Sequence, residues 1–150
     1  MNHPISYEEY LQQHETLTYT CVGVSMLPLL HEGDLFTVQR KGSARCRRSD
    51  VVLYRRGRDY VLHRIVEVRP KDYVILGDNC ITKEYGTTDA DILGVMTEFV
   101  RNGKQHTTRD RGYRFYSWWI VHTIGLRVFL KKCRRKGAKL LRRILHGKNR

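Results

Sequence analysis

The sequence predicts a mainly β body, opened by a short helix and closed by a basic amphipathic helical tail. Three observations carry this expectation. Between residues 17 and 100, apolar residues alternate with polar ones in short runs rich in Val, Ile, Tyr and Thr, bounded by Gly-, Asp- and Arg-rich turns. Ahead of that stretch, Ser6-Tyr7-Glu8-Glu9 has the form of a capping box. Beyond it, apolar residues recur at helical spacing among lysines and arginines.

Taken in order, the capping box starts a helix that runs to about Gln13. Strands are expected at 17–22, 35–40, 51–55, 60–68, 73–76 and 92–100. Arg56-Gly57-Arg58-Asp59 joins two of them as a hairpin. In the strand at 60–68, alternation puts Val61, His63 and Ile65 on one face and Leu62, Arg64 and Val66 on the other. Residues 115–130 are apolar and aromatic but are broken by His122 and Arg127. Sixteen residues fall short of the about 20 that a spanning helix needs. Trp118 and Trp119 suit a membrane interface instead. Cys133, Leu140, Leu141, Ile144 and Leu145 then mark the apolar stripe of a basic helix ending near Gly147.

Charge divides the chain sharply. The 150 residues carry a net charge of +13, yet residues 1–100 hold 12 Lys/Arg against 14 Asp/Glu. Residues 101–150 hold 16 Lys/Arg against the single acid Asp110. A basic tail on a near-neutral domain implies an anionic partner, lipid surface or nucleic acid. The four cysteines, at 21, 46, 80 and 133, have poor spacing for zinc and form a weak disulfide framework, so reduced thiols are expected. A packing role is expected for Cys80. No signal peptide is visible, and no motif calls for a cofactor or metal.

The chemistry-bearing stretch is Gly23-Val24-Ser25-Met26-Leu27-Pro28-Leu29-Leu30, followed by Gly33-Asp34. Gly23 and Pro28 exclude a continuous helix here and leave Ser25 on a bend, with backbone N–H groups free to serve an oxyanion. A loop serine beside a proline turn is the ordinary alternative. Three further blocks follow: Asp50 to Tyr54 with Tyr60 to Val68; Leu76-Gly77-Asp78-Asn79-Cys80; and Asp91-Ile92-Leu93-Gly94-Val95-Met96. Together, in this order and spacing, they resemble the signal peptidase I and LexA superfamily of serine endopeptidases over residues 18–100. The resemblance implies coiled antiparallel β-sheets of the LexA/signal peptidase type.

Position 63 separates the branches of that superfamily. Bacterial signal peptidases and LexA-type repressors place a lysine base there. His63-Arg64 is similar to the Ser/His branch typical of the endoplasmic reticulum and archaea. The resemblance makes Ser25 the nucleophile and His63 the general base. It offers two acids to orient the imidazole: Asp78 first, in Gly-Asp-Asn, and Glu84 second, where that branch usually has an Asp-Asp pair. Gly23 stands where many signal peptidases have a serine, so backbone donors alone serve the oxyanion. A histidine base is already largely neutral at pH 7, whereas a lysine would need its pKa lowered by about three units, roughly 4 kcal/mol.

The expected organisation is a helical arm at 1–16, a catalytic β domain at 17–104 and a basic aromatic tail at 105–150. The expected function is a signal-peptidase-like serine endopeptidase cleaving a precursor or leader peptide. Catalysis is assigned to Ser25, His63, Asp78 and Glu84, and substrate binding to Gly23, Met26 and Pro28. The tail is expected to lie in-plane on an anionic membrane surface through residues 112–150, placing the protein peripherally on the cytoplasmic side of the membrane or in the cytoplasm. One alternative is a LexA-like self-cleaving regulator, although the twenty-four residues before Ser25 leave no room for a helix-turn-helix domain. The other is a non-catalytic module of the same fold binding peptide or, less favoured, nucleic acid.

Overall fold

The computed structural model describes residues 6–147, with side chains as far as residue 138. Helix α1 (Tyr7–Gln13) leads into strands β1 (Thr16–Thr20), β2 (Leu35–Arg40), β3 (Val51–Arg56), β4 (Asp59–Val68) and β5 (Tyr73–Leu76). Then come β6 (Glu84–Thr87), β7 (Ile92–Arg101) and β8 (Lys104–Thr107), followed by helices α2 (Arg111–His122) and α3 (Ile124–Gly147). The strands form one antiparallel sheet in the order β1-β2-β7-β3-β4-β5-β6, with β8 added on β7. The mainly β body with few helices is as the sequence predicts.

Local chemistry accounts for the elements. Ser6 caps α1: its Oγ accepts from the Glu9 N–H at 3.2 Å, and the Glu9 carboxylate accepts from the Ser6 N–H at 3.0 Å. Gly57, at φ +64°, supplies the left-handed residue of the β3–β4 turn, and Arg56 pairs with Asp59 across it. Strands β6 and β8 are absent from the sequence expectation. Glu84-Tyr85-Gly86-Thr87 and Lys104-Gln105-His106-Thr107 are short and polar, so alternation gives no signal; their pairing with β5 and β7 makes them strands.

Strands β3 and β4 are buried on both faces. Val51, Leu53 and Leu62 join a core with α1, β1, β2 and the segment Met26 to Leu30. Val52, Tyr54 and Ile65 face a second cluster with Tyr73, Ile75 and Ile92. His63 pairs with Val52 and shares that second face, while Arg64 pairs with Val51 and points the other way. The expected alternation of β4 is therefore what places His63.

The expected division at 104/105 falls inside a strand, because β8 spans it and closes a hairpin with β7. The start of the tail is part of the packed body. Ser117, Ile120 and Val121 of α2 are buried, and Ile124 and Val128 of α3 cover Val66, Val74 and Leu76. The N-terminal helix is likewise packed, with Leu11 in the core. The stripe expected at Leu140, Leu141, Ile144 and Leu145 lies outside the described side chains.

Candidate active site

Strand β1 ends at Thr20 and the chain continues through exposed Val22 and Val24 to a bend at Ser25. Gly23 has φ +80°, and a Cβ placed on it would meet nothing within 4 Å. Its glycine answers a backbone requirement, not crowding. Leu27–Pro28 is a cis peptide bond, and Met26 and Leu30 anchor the bend in the core. The Leu30 N–H donates to the Met26 carbonyl at 3.1 Å, but the N–H groups of Ser25 and Met26 donate to no protein group among the described residues. Two adjacent donors are thus left at the bend, as an oxyanion site needs.

His63 reaches the same place from β4. Strand β5 stops at Leu76, the partner of Arg64, one residue short of covering His63. The chain then turns at Gly77. A Cβ on Gly77 would lie 2.8 Å from the Ser25 carbonyl oxygen, 2.9 Å from His63 Nε2 and 2.7 Å from Cys80 Sγ. The serine backbone and the imidazole therefore meet across a gap that only a glycine at position 77 leaves open. Ser25, His63 and Glu84 line one cleft of about 1020 Å³, with Tyr7, Tyr19 and Tyr60 at its wall. No hydrogen bond joins Ser25 Oγ to His63 Nε2; such contacts commonly tighten only when substrate is bound.

The acid on the imidazole is Glu84. His63 Nδ1 lies 3.2 Å from Glu84 Oε1 and 3.3 Å from Tyr54 Oη. Tyr54 Oη donates to Glu84 Oε2 at 2.8 Å, and Arg56 Nη1 donates to Oε1 at 3.0 Å. A carboxylate at Nδ1 favours the tautomer with its proton there, leaving Nε2 free to accept one. Burial pushes the His63 pKa below its usual value; the nearby Glu84 carboxylate opposes this without reversing it. Burial, reinforced by Glu84, also raises the Tyr54 phenol, so it stays a proton donor.

Asp78, ranked first by the sequence, is committed elsewhere. Its carboxylate accepts two parallel bonds from Arg64, Nε to Oδ1 and Nη2 to Oδ2, both 2.8 Å, and a third from Tyr116 Oη at 2.9 Å. The pair is almost fully buried, and Arg64 also donates to the Ser49 carbonyl and Ser117 Oγ. Asp78 therefore anchors the Gly77–Cys80 loop from behind. Alternation explains the exchange: Arg64 must point away from His63, and it takes Asp78 with it.

That loop touches the Ser25 bend directly. The Asn79 N–H donates to the Ser25 carbonyl at 2.8 Å, and Asn79 Nδ2 donates to the Val24 carbonyl at 3.0 Å. Of the expected substrate-binding residues, Gly23 and Met26 line the cleft. Pro28 does not; its carbonyl accepts from Arg101 Nη1 at 2.6 Å. Tyr54, Arg56 and Asn79 escape the sequence reading. Tyr54 reads there as one more β-former in an apolar run, and the others as turn residues.

Compared with known proteins, the chain matches no family model and no curated protein. Among the described residues, no helix is long and apolar enough to cross a membrane.

Proposed function

We propose that this protein is a serine endopeptidase of the signal peptidase and LexA type, acting on an extended polypeptide precursor or leader. The observation that carries this reading is the close approach of the Ser25 backbone and His63 Nε2 to the same glycine, Gly77, with Glu84 on the far nitrogen of the imidazole. His63 Nε2 takes the Ser25 proton as Oγ attacks the scissile carbonyl carbon. The Ser25 and Met26 N–H groups receive the oxyanion, each such donor being worth about 3 kcal/mol. Collapse of the tetrahedral adduct breaks the C–N bond, and His63 returns the proton to the leaving amine. Water then attacks the acyl-enzyme, giving its proton to His63, and Ser25 is regenerated.

The sheet favours an extended substrate. Among the described residues β1 is an edge strand paired with β2, and its exposed continuation at Val22 and Val24 leads through the Gly23 bend to Ser25. A peptide adding to that edge would have its backbone aligned past the nucleophile. The test is turnover of a diverse peptide mixture by wild type, Ser25→Ala and His63→Ala. Cleavage is expected from wild type alone, with all three proteins folded. Equal cleavage by His63→Ala would remove the histidine from the mechanism.

A further inference from the structure

We infer that the outward faces of α2 and α3 dock in-plane on an anionic bilayer, and that this surface is joined to the serine through Lys131. Helix α3 is two-sided. Ile124, Arg127, Val128 and Lys131 face the body, whereas Leu126, Phe129 and Leu130 are 62, 62 and 51 % exposed. Helix α2 also presents Phe115, Trp118 and Trp119, at 68, 53 and 42 % exposed. Phe115, Trp118 and His122 stack along it, with ring centres 6.1 and 4.8 Å apart. Six large apolar side chains are thus exposed on two successive helices, a concentration of apolar surface that points to an interaction site.

Charge selects the partner. Arg111, Arg114, Lys132 and Arg134 are exposed around these residues, and no acid follows Asp110 in the sequence. Apolar and indole side chains on one face of a helix, with cations around them, match the boundary between acyl chains and anionic headgroups. Nucleic acid would use the cations but leave the apolar residues in water.

The inward face of α3 connects this surface to the site. Arg127 Nη2 donates to the Asp78 carbonyl, and Lys131 Nζ donates to the Asn79 carbonyl at 2.8 Å and to Asn79 Oδ1 at 2.6 Å. Asn79 in turn holds the Val24 and Ser25 carbonyls. A bilayer that favours the docked helix therefore favours the loop that positions Ser25. Lys131 is a positioning residue. What this coupling achieves rests on the endopeptidase reading, but its readouts do not.

The test uses the full chain with vesicles of phosphatidylglycerol and phosphatidylcholine, and with phosphatidylcholine alone. Flotation should be at least about tenfold stronger with the anionic vesicles. It should be lost in Leu126→Ser/Phe129→Ser/Leu130→Ser and weakened in Lys132→Glu/Arg134→Glu, a variant that leaves the apolar face intact. Anionic vesicles should slow hydrogen exchange of the Asn79 amide about tenfold or more in wild type but not in Lys131→Ala. Flotation unchanged by the serine triple variant, DNA binding or dimerisation without flotation, or vesicle binding that leaves Asn79 exchange unaltered would overturn the inference. If vesicles bind and protect Asn79 while Ser25 proves unreactive, the docking surface stands and the endopeptidase reading falls.

Discussion

Glu84 sits on His63 and Asp78 sits on Arg64, so the acid the sequence ranks second, not the first, lies against the imidazole. Glu84→Gln should keep the fold but lower kcat on the order of 10³-fold. That is less than the ~10⁴ lost on replacing a triad carboxylate, because Tyr54 Oη still lies near Nδ1. Asp78→Asn should act mainly on stability. Breaking a buried ion pair costs about 3–5 kcal/mol. Thermal unfolding and steady-state kinetics on both variants separate the roles; an equal kinetic loss at matched stability would reject the division.

The pH dependence follows from the sign of the His63 shift. Burial holds the imidazole below its ordinary 6.5, so the base form persists to lower pH than in an exposed histidine. Activity should rise with pH and reach half its plateau below 6.5. Glu84 raises the His63 pKa, so Glu84→Gln should move the acid limb to still lower pH while reducing the plateau. A rise only above about pH 9 would indicate a lysine base.

Tyr54→Phe removes one donor from Glu84 and the neighbour of His63 Nδ1. Stability should fall by about 1 kcal/mol, the usual net value of a hydrogen bond. The rate should fall by about tenfold, since Arg56 still fixes the carboxylate. An unchanged kcat would show that the phenol serves packing alone.

Gly77→Ala should damage the site more than the fold. The added methyl would lie 2.8 Å from the Ser25 carbonyl oxygen, a backbone atom with little freedom to yield, and 2.9 Å from His63 Nε2. Loss of peptide turnover is expected, with a destabilisation of about 1–3 kcal/mol as for other overpacked positions. Wild-type kinetics in this variant would show that the gap is wider than the structure gives.

Much of the fold was legible because its signals are local. The capping box at Ser6, the alternation of β3 and β4 and the turn at Gly57 each act through neighbours in the chain. The bend at Ser25 was legible for the same reason, whereas the choice of His63 rested on the family resemblance, because alternation alone suits a half-buried structural histidine equally. The identity of the orienting acid was not. It depends on where β5 ends and on which side of β4 the 77–80 loop is tied, and both are set by pairing between distant residues. The role of the helices in holding Asn79 was hidden similarly, because Lys131 reads in the sequence as one cation among many.

The proposed activity requires Ser25 to be an activated nucleophile served by His63. The direct measurement is intact-mass and peptide-level mass spectrometry after treatment with a fluorophosphonate probe, in wild type, Ser25→Ala and His63→Ala. A single adduct on Ser25 is expected, absent from Ser25→Ala and slowed at least about 10²-fold in His63→Ala. Labelling of Ser25 at the same rate without His63, or none in the folded wild-type protein at any pH from 5 to about 9, would contradict it.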